Sequence, residues 1–308
     1  LALIEAMIEI ARPIQPCGVR ALHYQLFNGK LMPSMDKKCG KKVSNLSTMA
    51  RERGWMPWEW ITDATRAEQV VPTWADPVEY ARMVQASYRR DKWADQPTYV
   101  VAWSEKSTIE GSIRPVLERY EVPFQVLHGW SSSTTVMDAV RAALARRQPT
   151  LILYIGDYDP SGLFMSEVDL PKRLARYSSD APANKKVDLD WARRQLARSR
   201  LEIRRIALTR SDTVALGEAT RFPASDKADK DDKKGDTRYH WFVEHHGDWC
   251  WELDALSPRV LRDRLESAIV AELDRELWDR STHVQELERE QIIETCQTWR
   301  TILGQVQK

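Results

Sequence analysis

From residue 98 the apolar and polar positions fall into alternating blocks. TYVVAW, PFQVLH and TLILYI are short apolar runs rich in β-branched and aromatic residues. Between them, STIEGSIRPVLERY and SSTTVMDAVRAALARR carry their apolar residues at helical spacing. Strand and helix alternating at this interval predict an α/β fold with a parallel sheet and right-handed crossovers. LILYI lacks any polar alternation, as a strand covered on both faces requires. LEIRRIALT reads as a further strand, and WCWELDAL as the run that closes the set.

The first 66 residues follow another rhythm. Helical spacing runs from the start to about Arg12, again near Gly18–Phe27, and a third time around Val43–Arg53. Pro13 and Pro16 punctuate the first link, and the basic loop NGKLMPSMDKKCGKK forms the second. Gly54 and Pro57 stop the third helix before the aromatic run WMPWEWI. Three short helices and an extended tail predict a winged-helix or helix-turn-helix module. The expected organisation is therefore a winged helix at 1–66, a helical linker at 67–97, an α/β domain at 98–256 and C-terminal helices at 257–308. Polar stretches at 178–189 and 226–238 read as a linker and a loop.

Charge refines this picture. The chain has 308 residues and a formal charge of +1, which excludes a uniformly basic coat protein and an acidic disordered tail. The balance hides polarity, however. Residues 28–53 hold seven Lys/Arg against two acids, and residues 191–210 hold seven Arg against Glu202 alone. Residues 251–290 reverse the sign, with eleven acids against six Arg. Lys37, Lys38, Lys41, Lys42, Arg51 and Arg53 are candidate phosphate contacts, joined by Lys106 and by part of the 191–210 stretch. Four scattered cysteines suit neither a disulfide scaffold nor a zinc knuckle, so a reducing, cytoplasmic compartment is expected, with nucleoid association if DNA is bound. No apolar stretch approaches a membrane span.

In a parallel sheet, functional groups collect where strands end and helices begin. Glu105 follows the first strand, and Asp157 and Asp159 follow the third in the turn GDYDPSG. Oxygen ligands without His or Cys suit Mg²⁺ or Mn²⁺. A bare D-x-D also forms ordinary turns. Together with a preceding strand-end Glu, however, D-x-D-P-x-G closely resembles the Toprim domain of topoisomerases, primases and related nucleases. That resemblance implies that Glu105, Asp157 and Asp159 bind the metal. Residues GVRALHYQLF place Arg20 and Tyr24 four apart on one helical face. This is similar to the R-x-x-x-Y motif in the winged helix of the topoisomerase VI A subunit and the Spo11 recombination protein, where the Tyr attacks a DNA phosphodiester. One departure is His23, which stands where that family usually has an aromatic.

The resemblance covers about residues 14–270. It implies an enzyme that cleaves double-stranded DNA through Tyr24, with Arg20 assisting. It further implies a homodimer in which Tyr and metal come from different protomers, and a separate ATP-binding subunit for strand passage. Two other readings stand beside it: a hydrolytic Toprim nuclease of phage or plasmid defence, working with a defence-system partner, in which Tyr24 only packs the helix, and a catalytically silent DNA-binding protein. Elsewhere, Asp254 in CWELDAL is a further acid to watch, and His245 with His246 reads as a solvated helix face. Trp55, Trp58 and Trp60 read as a hydrophobic clasp under the wing.

Overall fold

The computed structural model describes residues 2–61, 71–127, 133–180, 187–227 and 236–306. Most of the loop expected at 226–238, the middle of the 178–189 linker and residues 62–66 lie outside the described residues. Close contacts divide the chain into two units, one of residues 1–66 with 100–271 and one of 67–99 with 272–308. The N-terminal helices therefore share a unit with the sheet, and the expected C-terminal segment is divided after residue 271. Among the described residues no helix is long and apolar enough to cross a membrane.

The larger unit begins with α1 (Ala2–Ile14), α2 (Val19–Asn28) and α3 (Lys37–Glu52). Met7, Ala11, Leu22, Leu26, Val43 and Ala50 interlock as their shared core. The third helix begins six residues before the expected start. Asp36 accepts from the Cys39 amide at 2.7 Å, and this cap starts the helix inside what reads locally as a basic loop. Lys37, Lys38, Lys41 and Lys42 consequently lie exposed on its first turns. No hairpin wing follows α3 among the described residues. A 3₁₀ turn at Trp58–Trp60 and a single bridge from Cys17 to Ile61 stand there instead.

The strands are β1 (Tyr99–Ser104), β2 (Phe124–Val126), β3 (Thr150–Ile155) and β4 (Leu201–Ala207). They form one parallel sheet in the order β2-β1-β3-β4, a Rossmann-like arrangement. Ala102 pairs with Phe124, and Ile152 with Ile203. Every residue of β3 is buried, as its unbroken apolar run requires. Helices α5 (Glu110–Tyr120) and α6 (Ser133–Leu144) make the crossovers; α4 (Pro77–Ser87) belongs to the smaller unit. After β3 come α7 (Pro160–Phe164), a π turn at Met165–Asp169, α8 (Leu170–Tyr177) and α9 (Leu189–Arg198).

Beyond β4 lie α10 (Arg210–Leu216), α11 (Thr237–His246) and α12 (Pro258–Val270). The segment expected to close the main sheet does not join it. Residues Trp249–Cys250 (β6) pair antiparallel with Phe222–Pro223 (β5) as a separate ribbon, and Trp251 bridges to Tyr158. Cys250 is buried and Trp249 exposed, so the alternation is real but belongs to a two-stranded edge. Arg262 on α12 donates to the carbonyls of Ile14, Pro16 and Ser112 at 3.1, 3.4 and 3.2 Å. One guanidinium thereby ties the N-terminal helices to α5.

In the smaller unit α4 packs on α13 (Arg275–Val306). Tyr88 and Arg90 both bond Glu288, at 2.7 and 2.6 Å, and Trp93 meets Trp278 edge-on at 5.6 Å.

Candidate active site

The carboxyl edge of the sheet gathers the expected acids. Asp157 and Asp159 stand in the turn after β3, and Glu105 stands just past β1. Asp159 caps α7 by accepting from the Gly162 amide at 2.8 Å, with Pro160 at the first helical position. Glu105 Oε1 accepts from the Asp157 amide at 3.0 Å. Gly156 and Gly162 make room for that carboxylate, since a Cβ on either would lie within 2.9 Å of Glu105 Oε1. The glycines of GDYDPSG are thus required by close approach.

The acids are crowded. Burial, followed by the charges of Asp157 and Asp159, pushes Glu105 up to about 7. Burial also raises Asp157, against the pull of Lys106. Two ammonium groups offset this charge. Lys106 Nζ lies 2.7 Å from Asp157 Oδ1 and 2.9 Å from Asp254 Oδ2, while Lys227 Nζ lies 3.1 Å from Asp159 Oδ2. Burial alone would depress Lys106, but Asp157 and Asp254 outweigh it and keep it protonated. Lys106 is therefore a half-buried link inside the site, paired with two acids and not an open phosphate contact.

The acids fit a hard divalent cation by donor type: all are carboxylates, and the local excess of negative charge already draws in lysines. Among the described residues, no three His, Cys, Asp or Glu are gathered into a ready cage. A cation held by Glu105, Asp157 and Asp159 would have to take the place of these ammonium contacts.

Arg20 and Tyr24 reach the same network from α2. The Tyr24 ring is buried, and its hydroxyl donates to Glu252 Oε2 at 2.8 Å. Arg20 pairs with Glu252 and bonds Asp254 Oδ2 through Nε at 3.1 Å, its guanidinium 5.8 Å from the Tyr24 ring centre. Burial, followed by the charge and hydrogen bond of Glu252, raises the Tyr24 phenol well above its ordinary range. For Glu252, burial is outweighed by Lys106, the Tyr24 hydroxyl and Arg20, which together hold it below the usual carboxylate range. Tyr24 is thus both packed and chemically directed. His23 points elsewhere, buried against α3 with Nε2 3.0 Å from the Ser34 carbonyl.

Leu253 completes the link by donating its amide to Asp157 Oδ1 at 2.6 Å. Glu252, Leu253 and Asp254 therefore hold Tyr24, Arg20, Lys106 and Asp157 in one network. Asp254 was flagged by its sequence. Glu252 was not, although it stands two residues before Asp254 in the same run; Asp254 itself sits in a 3₁₀ turn at Leu253–Ala255. Arg205 is the other omission. It donates to the carbonyls of Leu208, Gly162, Gly156 and Asp157 and to Ser166 Oγ, holding the acidic turn against β4. This one Arg of the 191–210 stretch is structural, whereas Arg193, Arg194 and Arg198 are exposed on α9.

The remaining candidates separate clearly. Trp55 and Trp58 are 41% and 57% exposed, under the guanidiniums of Arg53 and Arg51 at 5.0 and 4.8 Å; only Trp60 packs on the helical core. The expected clasp is therefore limited to Trp60. His245 is exposed as expected, but His246 turns inward, with Nδ1 3.3 Å from the Tyr158 hydroxyl. Comparison of the chain with protein-family models, curated proteins and solved structures gave no match.

Proposed function

We propose that the chain is a metal-dependent DNA-cleaving enzyme of the topoisomerase VI A/Spo11 type, built from a winged-helix-like module and a Toprim-like sheet. One observation carries this reading. Arg20 and Tyr24 converge through Glu252, Asp254 and Lys106 on Asp157, across separations of up to 234 residues. A helical tyrosine with an arginine one turn away, joined to strand-end acids, is the equipment of phosphodiester transfer.

In this reading, the Tyr24 oxygen attacks phosphorus and its proton passes to solvent. The bond to the 3′ oxygen breaks, and that oxygen leaves with the electron pair and takes a proton from water. A 5′-phosphotyrosyl bond remains, and the reverse attack by the 3′ hydroxyl restores the DNA. Arg20 balances charge on the phosphate, and Lys106 orients Asp157. Glu105, Asp157 and Asp159 would hold Mg²⁺ or Mn²⁺, which when bound polarises a non-bridging phosphate oxygen. The exposed lysines of α3 with Arg51 and Arg53 supply backbone contacts to duplex DNA. Two copies of the chain would cut both strands, and strand passage would need a separate ATP-binding subunit.

One observation favours a hydrolytic Toprim nuclease as the second reading: Tyr24 is buried and its phenol is raised. End-labelled supercoiled plasmid with Mg²⁺, quenched in SDS with and without protease, tests both. Protein-linked 5′ ends that vanish in Tyr24→Phe support covalent cleavage. Cutting that persists in Tyr24→Phe but is lost in Asp157→Ala refutes it in favour of hydrolysis. DNA binding without cutting leaves a catalytically silent binding protein.

A further inference from the structure

The segment Glu252–Asp254 has no part in the chemistry just described, yet it contacts most of its members. Arg20 and the Tyr24 hydroxyl are the groups that this reading sets at the scissile phosphate, and Lys106 orients Asp157 beside them. Each already bonds a carboxylate oxygen of this segment: Tyr24 and Arg20 on Glu252, and Arg20 and Lys106 on Asp254. We propose that Glu252 and Asp254 stand in for the scissile phosphate of DNA, occupying its seat in the free chain and being displaced when DNA binds. The inference rests on the reading of Tyr24 as part of a DNA-cleaving site.

Charge and geometry support it. Three carboxylates, Glu252, Asp254 and Asp157, surround the two cations Arg20 and Lys106, leaving no positive surplus for an entering phosphate. A phosphodiester arriving beside both acids and Asp157 would meet like charges at close range. On its inner side the segment is held by Leu253 N to Asp157 Oδ1, next to the paired main-chain bonds of Trp251 with Tyr158. A cation arriving at Asp157 would compete for that same oxygen, so metal entry and release of the segment are coupled.

The competing role for Glu252 is general base to Tyr24. Against burial, Lys106, the Tyr24 hydroxyl and Arg20 hold Glu252 below the ordinary carboxylate range, while an ordinary phenol titrates near ~10. A proton does not favour that transfer, and a carboxylate accepting from a neutral phenol keeps the proton on the phenol. The contact restrains Tyr24.

The test uses the intact chain and a fluorescently labelled duplex, with anisotropy read at fixed salt, first in EDTA and then in Mg²⁺. The Glu252→Gln/Asp254→Asn double variant should bind about tenfold tighter than wild type, since like charges facing a phosphate are removed. Loss of any two acids strengthens DNA binding non-specifically, so Glu286→Gln/Glu290→Gln on exposed positions of α13 is the matched control. Glu252→Gln alone keeps the shape and Asp254, and should show a smaller gain in the same direction should the double variant melt early. Tightening beyond the control supports the stand-in. Binding no tighter than the control overturns it while leaving the DNA site intact. No binding by any of these proteins removes the stand-in and the DNA-cleaving reading together.

Discussion

Gly162→Ala should destabilise the larger unit and loosen the acidic turn. An added Cβ would lie 2.5 Å from the Asp157 carbonyl oxygen and 2.8 Å from Glu105 Oε1. The first of these is backbone, fixed by Arg205, and cannot swing away. Alanine gains up to about 1 kcal/mol in helix propensity. Against this, overpacking of a tight interior costs about 1–3 kcal/mol, and weakening the Asp159 cap costs about 1 kcal/mol. The net is a loss of about 1–3 kcal/mol. In a unit of this size that lowers Tm by roughly 2–12 °C. Circular dichroism melting gives the first measurement, and Mn²⁺ titration by calorimetry the second, because the displaced groups carry Glu105 and Asp157. Gly40→Ala is the internal contrast. It lies within α3 with its nearest neighbour, His23 Nδ1, at an ordinary 3.5 Å, so the same change should raise stability by up to about 1 kcal/mol. If Gly162→Ala melts within about 1 °C of wild type, the close-approach account of this glycine is wrong.

Other outcomes follow from the same geometry. Arg264 holds Asp212 through two bonds at 2.6 and 2.5 Å, and Asp212 also closes the capping box with Thr209. Arg264→Ala should cost about 2–4 kcal/mol in urea unfolding, and a cost below about 0.5 kcal/mol would show that solvent replaces the pair. Asp212 is held below the ordinary carboxylate range, with burial outweighed by Arg264 and Thr209. Its stabilising contribution is therefore complete above the unfolded value near ~4 and lost as pH falls through the folded one, so Asp212→Asn should flatten the acid limb of a stability profile. Tyr24 should remain protonated beyond pH ~10, so the 295 nm difference titration between wild type and Tyr24→Phe shows no phenolate there. In Glu252→Gln the Tyr24 step should move to lower pH; an unmoved step would mean that burial alone raises it. Arg205→Lys cannot reach the same set of acceptors; if the proposed acids hold Mn²⁺, it should weaken that binding several-fold although Arg205 is not one of the proposed ligands.

The sheet and its edge were legible because both follow from local pattern. The apolar run of β3 and the strand–helix alternation fixed β1, β2 and β4, and the acids fell where strands end. What was missed depends on partners far along the chain. Asp36 starts α3 through one side-chain bond that weighs little against four lysines in a periodicity reading. Trp249–Cys250 has strand character, but nothing local says which strand accepts it. Arg205 looks like any member of a basic stretch until the Asp157 turn folds beneath it. Glu252 became informative only once α2 was seen to place Tyr24 against it, 228 residues away.

Arg262 has a dynamic consequence. Because it bonds carbonyls before α2 and at α5 from a single position on α12, the N-terminal helices cannot separate from the sheet without stripping three acceptors at once. Amide hydrogens in α1, α2 and β3 should then exchange with solvent as one cooperative block, with a common opening free energy. Arg262→Met should split that block, leaving the helices to open on their own while the strands stay protected.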